Sequence, residues 1–313
     1  MISKEAKEKW TATKNQWFFK SARYAFEELL NIIRSVRDGV VLMPGYIGQS
    51  VREGSGVFDP IRHTKTRYVF YALHEDLSVD VEDLKQKMND PNVVAVLLIH
   101  YFGFPQKCVV DLASLCREKG ILLIEDCAHT IGGQFSGVTL GDFGDFSFYS
   151  IHKLTASENG GILQVNNSSY TDRFRNVIDN IDVEDLIQYI RTDLNKSSSI
   201  RRKNYQLYLE SLSRNSKYFD IMFPELEEGI VPINFPIRVK NYSREKMYFQ
   251  LMEDGIPLVS LYYQMVEELP REGFPVSYNI SDSILNLPTH QCINKNDVLT
   301  IVDALNHFVP RSV

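Results

Sequence analysis

The sequence of 313 residues has little of what marks several common classes of protein. It contains no apolar run of roughly 18 residues or more, so a membrane-spanning helix is not expected. Its four cysteines lack the Cys-x-x-Cys spacing of zinc sites, and no disulfide framework is indicated. The 34 Lys and Arg residues are fewer than the 40 Asp and Glu residues and form no basic block. A nucleic-acid partner is therefore not expected.

The amino-terminal residues, MISKEAKEKW, are charged and lack the apolar core of a secretory signal, which predicts a cytoplasmic protein. The composition is 44% hydrophobic and 24% charged, as in ordinary globular proteins. A chain of this length forms one large or two moderate domains, and we expect two.

The central part of the sequence has the pattern of a parallel sheet. Residues 93–102 (VVAVLLIHYF) and 121–129 (ILLIEDCAH) are predicted strands, joined by a helix that ends at Gly120. Strands that are apolar on both faces and connected by a helix indicate a βαβ unit in an α/β fold. Further strands are predicted within 144–151 and 160–165.

The two ends of the sequence have less regular patterns. Residues 15–38 are expected to form an entry loop and then, just after Arg23, an amphipathic helix. From about residue 195, a polar helix followed by shorter strands and helices indicates a smaller α+β unit. We therefore predict a large domain over residues 1–210 and a small carboxyl-terminal domain over residues 211–313.

Acidic residues and a histidine lie where the strand at 121–129 ends. Ligands bind outside the carboxyl ends of strands in open α/β sheets, so Asp126 and His129 are candidate site residues. An acidic strand end is more often a helix cap or a salt bridge, and a single histidine is more often structural. A metal hydrolase built from Asp126, His129 and His152 would have no HExxH-like pair and would leave Lys153 unexplained.

The surroundings of Lys153 favour a different chemistry. Ser150 and His152 come just before it, a Gly-Gly pair follows it, and Asp126 lies at the end of an earlier strand. These are the groups that a pyridoxal phosphate site needs. A lysine amine of lowered pKa condenses with the aldehyde, and a carboxylate keeps the pyridine nitrogen protonated. Hydroxyl, imidazole and backbone N–H groups hold the phosphate.

The segment LLIEDCAHTIGGQFSGVTLGDFGDFSFYSIHKLTASENGGIL, residues 122–163, resembles the core of the DegT/DnrJ/EryC1/StrS family of sugar aminotransferases. A strand-end Glu-Asp, an Ala-His, a Gly-Asp-Phe run and a lysine with Gly-Gly recur there in this order. A looser similarity extends from about residue 17 to residue 308. The resemblance implies a fold-type I pyridoxal phosphate transferase, with a mainly parallel sheet in a large α/β/α domain and a smaller carboxyl-terminal α+β domain.

The resemblance also implies a role for individual residues. Lys153 would be the catalytic lysine that forms the imine, and Asp126 would be the catalytic partner of the pyridine nitrogen. His129 would lie beside the cofactor ring. The remaining candidate cofactor-binding residues are Ser21, Ala22, Arg23, Tyr46, Ser150 and His152.

Two departures from the family pattern concern the phosphate. The family commonly has a serine five positions before the lysine, where this chain has Phe148, and the Ser-Ile-His-Lys spelling favours Ser150 over Ser147. This spelling is similar to that of cysteine desulfurases. A usual Gly-Thr is replaced by Ala22-Arg23, so Arg23 is expected to supply a charged phosphate contact.

A third departure concerns the ring of the cofactor. The family's stacking aromatic corresponds to Gly48, which leaves Tyr46 as the candidate substitute. The front of the chain is also shorter than in the family pattern, so the resemblance does not define a substrate pocket.

The function implied by the resemblance is transfer of an amino group from an amino acid such as glutamate to a nucleotide-linked keto sugar. A homodimer is the expected assembly, since fold-type I enzymes build their sites at a dimer interface. A sugar dehydratase or lyase is an alternative, although such relatives carry a histidine in place of the lysine, and here His152 lies beside Lys153. A non-catalytic relative that binds pyridoxal phosphate is the other alternative.

Overall fold

The computed structural model describes residues 15–259 and 261–311 of the chain. Its largest sheet has seven strands: β1 (Gln16–Phe19), β2 (Val40–Pro44), β3 (Arg67–Tyr71), β4 (Val93–Ile99), β5 (Leu122–Asp126), β8 (Phe146–Ser150) and β9 (Gly161–Val165). Two short strands, β6 (Gln134–Phe135) and β7 (Val138–Thr139), pair with each other outside this sheet.

The large sheet is mainly parallel, as the sequence predicts. Its strand order is β1-β9-β8-β5-β4-β2-β3, and the neighbouring strands from β3 to β8 are parallel. Strand β9 is antiparallel to both β8 and β1. All seven residues of β4 are buried, because a parallel strand in the middle of an α/β sheet is covered on both faces. The carboxyl ends of β4, β5 and β8 therefore meet at one edge.

Residues 15–21, expected to be a loop, include a strand. Strand β1 pairs with β9 from Gln16 opposite Gln164 to Phe19 opposite Gly161. The prediction of a loop was wrong here because the strand is only four residues long and its partner is about 145 positions away in the sequence. Local periodicity cannot indicate such an edge strand.

Six helices lie in the first two thirds of the described chain: α1 (Ala22–Val36), α2 (Phe58–Thr64), α3 (Val81–Lys87), α4 (Val109–Lys119), α5 (Val183–Arg191) and α6 (Leu194–Ser211). Helix α1 buries Phe26, Leu29, Leu30 and Ile33 and packs against β8 and β9. Helix α4 ends at Gly120, whose φ of 64° lies in the left-handed region that favours glycine.

A second sheet lies beyond α6. It contains the antiparallel strands β10 (Phe219–Ile221), β11 (Asn234–Val239) and β12 (Ile284–Pro288). The helices of this part are α7 (Arg244–Glu253), α8 (Pro275–Ser281) and α9 (Lys295–Asn306). Helix α6 contacts both α9 and β11. The domain boundary at residue 210 lies in the last turn of α6 and stays a prediction.

Within residues 15–259 and 261–311, no helix combines the length and the apolarity that crossing a bilayer requires.

Candidate active site

The candidate residues from two predicted strands lie at one edge of the large sheet. Strands β5 and β8 are neighbours, with Asp126 opposite Phe148. Strand β8 ends at Ser150 and continues directly into a 3-10 turn that ends at Lys153. His129 follows Asp126 after a short turn. The sheet therefore brings Asp126, His129, Ser150 and Lys153 together.

Lys153 lies in a desolvated position near Asp126. Burial lowers the pKa of its amine from the ordinary lysine value to about 8, although the charges of Asp126 and Glu53 favour the ammonium form. The turn is fixed by Arg201, whose Nη2 donates a 2.7 Å hydrogen bond to the carbonyl oxygen of Lys153. An amine with this pKa is partly uncharged near neutral pH, and the uncharged form attacks carbonyl carbons.

Asp126 is a buried carboxylate that is available to a further donor. Its side chain accepts a 2.9 Å hydrogen bond from the N–H of Ala128 at Oδ1. Burial raises the pKa of the carboxyl group, whereas this hydrogen bond and the charge of Lys153 oppose the rise. A cationic or N–H group that binds next to Asp126 would offset the cost of burying its negative charge.

His129 is buried and neutral. Its Nδ1 accepts a hydrogen bond from the N–H of Phe102 at 3.2 Å, so its proton resides on Nε2. Burial lowers the pKa of His129 well below its usual value, and the nearby Lys153 and His152 lower it further. The site therefore has a neutral imidazole, rather than an additional cation, beside Lys153.

Ser150 and His152 form a hydrogen-bonded pair just before Lys153. The Oγ of Ser150 is 3.1 Å from Nδ1 of His152. Ser150 is buried, whereas His152 is exposed. Ser147 lies on the other face of β8, where its Oγ donates to the hydroxyl of Tyr149 at 3.4 Å.

The amino terminus of α1 is close to Ser150. Ser21 caps α1 and forms a bridge with Gly160. Ser150 is paired with Gly161, and a Cβ at Gly161 would lie only 2.3 Å from the backbone nitrogen of Ala22. Glycine at position 161 therefore allows the first turn of α1, with its free N–H groups, to reach the end of β8.

Arg23 is bonded to the loop between β2 and α2. Its Nη2 donates to the carbonyl oxygen of Glu53 at 2.6 Å, and its Nη1 is 3.2 Å from Oδ2 of Asp59. The phosphate contact expected of Arg23 stays a prediction. It would require the guanidinium group to serve both the loop and the phosphate.

Tyr46 is fully buried and lies behind another tyrosine. Its hydroxyl donates to the carbonyl oxygen of Tyr262 at 3.2 Å. The two rings are stacked, with centroids 5.3 Å apart and planes inclined by 20°. Tyr262, from the carboxyl-terminal part of the chain, therefore lies next to Tyr46, the stacking residue predicted from the sequence.

Glu125 is the buried neighbour of Asp126 on the opposite face of β5. Its Oε1 accepts from the N–H groups of Phe143 at 2.9 Å and Gly144 at 2.6 Å. Its Oε2 accepts from the N–H of Gly141 at 3.0 Å and is 3.0 Å from Nε2 of His100. This carboxylate has donors at both oxygens and holds the 141–144 loop in place.

In the part of the chain that is described, His100, Glu125 and Cys127 are the residues with the spacing of a metal site. Nδ1 of His100 accepts from the N–H of Gln106 at 3.0 Å, so Nε2 carries a proton that it donates to Glu125. Burial raises the pKa of the Cys127 thiol well above its usual value. A protonated imidazole nitrogen and a neutral thiol are poor metal ligands.

The sequence model of the DegT/DnrJ/EryC1/StrS aminotransferase family matches residues 55–184 and 191–306. The chain belongs to this family. The match confirms the predicted family and the predicted enzyme class, an aminotransferase. Membership also implies pyridoxal phosphate as the cofactor.

Individual relatives agree with this assignment. GDP-perosamine synthase of Vibrio cholerae is 41% identical over 103 residues, which are 32% of this chain and 27% of that protein. The dTDP-3-amino-3,6-dideoxy-alpha-D-galactopyranose transaminase of Aneurinibacillus thermoaerophilus is 24% identical over 259 residues, 74% of this chain and 69% of that protein. The solved aminotransferase TlmJ from Streptoalloteichus hindustanus has a TM-score of 0.79 at 21% identity, covering 94% of this chain and 86% of that one. This similarity confirms the predicted α/β fold.

Three residues of the site were not among the candidates named from the sequence. Arg201 fixes the turn of Lys153, Glu53 contributes a charge near the amine, and Tyr262 covers Tyr46. Nothing in the local sequence marks them, since each is tens of residues away from its partner in the site.

Proposed function

We propose that this aminotransferase uses pyridoxal phosphate held by Lys153 and moves an amino group from an amino acid, such as glutamate, to a nucleotide-linked keto sugar. The observation that carries this proposal is a lysine with a pKa of about 8 near the buried Asp126, at the carboxyl edge of the sheet. In a simple ion pair each charge stabilises the other, so the pKa of the lysine rises and the pKa of the carboxyl group falls. The reverse combination, found here, is typical of groups that act on a ligand.

The residues present fit the cofactor in chemical type. The amine of Lys153 is suited to hold the aldehyde, and the carboxylate of Asp126 is suited to the pyridinium N–H. The hydroxyls of Ser21 and Ser150, with the first N–H groups of α1, would hold the phosphate. When bound, the cofactor would supply an electron sink for the C–H bond next to the amino group.

The proton transfers fall to Lys153. Its Nζ would be the base that removes the proton from Cα of the amino donor and, once protonated, the acid that delivers it to the former aldehyde carbon of the cofactor. The pKa of about 8 suits both tasks, because neither form is scarce near neutral pH. The charge of Asp126 would keep the pyridine nitrogen protonated throughout, and the neutral His129 would contact the ring without adding a competing positive charge.

The substrate class rests on the relatives. The two relatives named above are a GDP-perosamine synthase and a dTDP-amino sugar transaminase, and both names refer to nucleotide-linked sugars. We assign the same class, a keto sugar linked to a nucleoside diphosphate, to this chain. A panel of such keto sugars, assayed for the aminated product by mass spectrometry, tests this assignment.

We also propose that the chain works as a homodimer. Ile178 and three residues of one face of α5, Val183, Ile187 and Ile190, are exposed. Helix α5 is tied to the loop after Lys153, since Oδ1 of Asp185 accepts from the N–H of Glu158 at 2.9 Å. A second copy that covers these apolar side chains would therefore lie next to the site.

Borohydride reduction followed by peptide mapping tests the role of Lys153. The protein loaded with pyridoxal phosphate should be yellow, and reduction should fix the mass of the cofactor on the peptide that contains Lys153. Recovery of that mass on a different lysine, with Lys153 unmodified, would contradict the proposal.

A single half-reaction separates the alternatives. Glutamate should convert the bound cofactor to its amine form, with a loss of visible absorbance and formation of 2-oxoglutarate. A protein that binds the cofactor but is inert to every amino acid would be the non-catalytic relative. Release of water from a keto sugar without amination would indicate the dehydratase.

A further inference from the structure

Tyr262 lies at the centre of a group of aromatic rings beside the site. We call this group the aromatic cluster; its members are Tyr46, Tyr101, Phe102, His129 and Tyr262. The ring of Tyr262 is stacked on Tyr46 at 5.3 Å and meets the other three edge to face, at 5.7 Å from Tyr101, 5.4 Å from Phe102 and 6.0 Å from His129. Each of the other rings therefore touches Tyr262.

Tyr262 is the accessible ring of this cluster. Tyr46 and Phe102 are 0% exposed, Tyr101 is 1% exposed and His129 is 3% exposed, whereas Tyr262 is half-buried. A planar ligand that enters beside Asp126 and Lys153 and meets the aromatic cluster would therefore touch Tyr262 first. Tyr46, which is covered by Tyr262, can only support it from behind.

Gly48 provides the space that Tyr262 occupies. A Cβ built at Gly48 would lie 2.9 Å from Cδ1, 3.4 Å from Cα and 3.5 Å from Cε1 of Tyr262. A larger side chain at position 48 would point into the same volume. The ring of Tyr262 therefore occupies the space that a side chain at position 48 would otherwise fill.

The backbone around Tyr262 is bonded to the segment that follows β2 and to β12. The N–H of Gln49 donates to the carbonyl oxygen of Gln264 at 2.9 Å, and the N–H of Val266 donates to that of Ile47 at 3.0 Å. On the other side, Nδ2 of Asn286 donates to the carbonyl oxygen of Leu261 at 3.0 Å. These bonds hold Tyr262 at a φ of 59°, which a non-glycine residue adopts at a cost of about 1 kcal/mol.

Tyr262 is near enough to Asp126 for the charge of that carboxyl group to act on its phenol. Burial raises the pKa of this phenol, and the negative charge of Asp126 raises it further. Asp126 is the residue proposed to bind the pyridine nitrogen. The same residue therefore fills the gap at Gly48 and lies near the proposed nitrogen partner.

We propose that Tyr262 forms the aromatic wall of the cofactor pocket and positions the pyridine ring, in place of a side chain at position 48. The inference rests on the proposed use of pyridoxal phosphate. It assigns to a residue of the carboxyl-terminal part a role that the sequence had suggested for Tyr46, and it makes the contact between positions 48 and 262 part of the site.

The test is the affinity of the protein for pyridoxal phosphate and the visible circular dichroism of the bound cofactor. Tyr262→Ala should weaken binding by about tenfold and reduce the dichroism, because a stacked aromatic contact is lost. Tyr262→Phe should bind within about twofold of the parent protein, since the ring remains. Tyr262→Leu keeps most of the bulk without the aromatic ring and should resemble the alanine variant.

Tyr263 is the matched control. It is adjacent in sequence, and its ring lies 5.3 Å from the guanidinium carbon of Arg244, outside the aromatic cluster. Tyr263→Ala should leave the affinity and the dichroism unchanged. An equal loss in the Tyr262→Ala and Tyr263→Ala variants would show a general effect of the segment and overturn the inference.

Gly48→Ala tests the contact directly. The added methyl group should displace the ring of Tyr262 and weaken cofactor binding by about threefold to tenfold, but it should have no further effect when Tyr262 is already alanine. Unchanged or tighter binding by Tyr262→Ala alone would overturn the inference, and tighter binding would identify Tyr262 as an obstruction. If the parent protein itself fails to bind pyridoxal phosphate, the proposed function falls and the inference with it.

Discussion

Glu125 and Asp126 are consecutive residues of β5, and both carboxyl groups are buried, yet their surroundings differ. On one face of the strand, Glu125 accepts hydrogen bonds from three backbone N–H groups and from His100. On the other face, Asp126 accepts from the N–H of Ala128 and is near the amine of Lys153. The carboxylate of Glu125 has protein donors at both oxygens, whereas the carboxylate of Asp126 can still accept a hydrogen bond from a ligand.

The comparison shows how a single strand can have a structural face and a chemical face. A buried carboxylate with donors at both oxygens has no remaining use for a ligand, because its charge is already stabilised. A buried carboxylate with a raised pKa is stabilised further when a cation or a protonated nitrogen binds. The number and kind of hydrogen-bond donors, rather than burial, separate the two residues.

The largest expected effect is on the chemical face. Lys153→Ala should fold normally, because the bond from Arg201 goes to the backbone oxygen of residue 153, but should lower the rate of glutamate half-transamination by about a thousandfold or more, since the proposed proton-transfer group is gone. Stopped-flow absorbance of the cofactor measures this rate. Lys203→Ala, an exposed lysine of α6, is the control. A Lys153→Ala variant with more than a tenth of the parent rate would exclude the role.

Asp126→Asn should slow the same half-reaction by about a hundredfold, equivalent to about 2.7 kcal/mol of barrier, while the melting temperature stays close to that of the parent protein. The amide retains the shape and can still accept from Ala128, but it no longer holds a proton on the pyridine nitrogen. A deuterium label on the donor Cα shows whether proton removal has become the slow step. A parent-like rate would mean that this carboxylate is as structural as Glu125.

Glu125→Gln should lower the stability of the protein, whereas Asp126→Asn should lower the reaction rate. The NH2 group of the new glutamine would face backbone N–H groups that bind carboxylate oxygens of Glu125 in the parent protein. The free energy of unfolding should therefore fall by about 2–4 kcal/mol. Urea unfolding of the cofactor-free protein measures this loss. The affinity of the folded variant for pyridoxal phosphate should change little. A stable variant with slow chemistry would reverse the comparison between the two faces.

The pH dependence of Lys153 gives a finer test. In the cofactor-free protein, acetic anhydride labelling of Lys153 should be slow below pH 8 and should rise as the amine loses its proton, with a midpoint near the pKa of about 8. The charge of Asp126 raises this pKa, so the midpoint should move to lower pH in Asp126→Asn. It should stay in place in Glu125→Gln. A midpoint near that of an exposed lysine would contradict the desolvated position.

The smallest expected effect concerns the proposed homodimer. Ile187→Glu places a charge on the exposed apolar face of α5, where Ile187 is 38% exposed, and should raise the dissociation constant of the proposed dimer by about tenfold. Leu299→Glu, with Leu299 37% exposed on α9, is the matched control and should have no effect. Light scattering over a dilution series compares them. A parent protein that stays monomeric with full activity would exclude the dimer.

Much of the fold could be predicted from the sequence because its signals are local. The apolar runs at 93–102 and 121–129 predicted β4 and β5, and a helix ending at Gly120 predicted α4. The parallel arrangement followed from strands that are apolar on both faces, as the fully buried β4 illustrates. Strand β1 was missed because its evidence is the pairing with β9, not a local pattern.

Only part of the candidate site could be predicted from the sequence. Asp126, Ser150 and Lys153 follow strands that are neighbours in the sheet, so the order of elements was enough to group them. Tyr262 could not be found by this reasoning, because it comes from a loop 216 positions away from Tyr46 and has no periodicity to mark it. The sequence did indicate a missing group at Gly48, but not which part of the chain fills the space.

The close approach of Gly48 to Tyr262 has a consequence for the divergence of this family. Because the two positions share one space, we expect a mutation at either position alone to be harmful: a side chain at 48 would meet the tyrosine ring, and a small residue at 262 would leave a gap. Lineages that carry glycine at 48 should therefore carry an aromatic residue at 262, and lineages with a large residue at 48 should carry a small one. We therefore expect the residues at positions 48 and 262, more than 200 positions apart in the chain, to vary together among relatives.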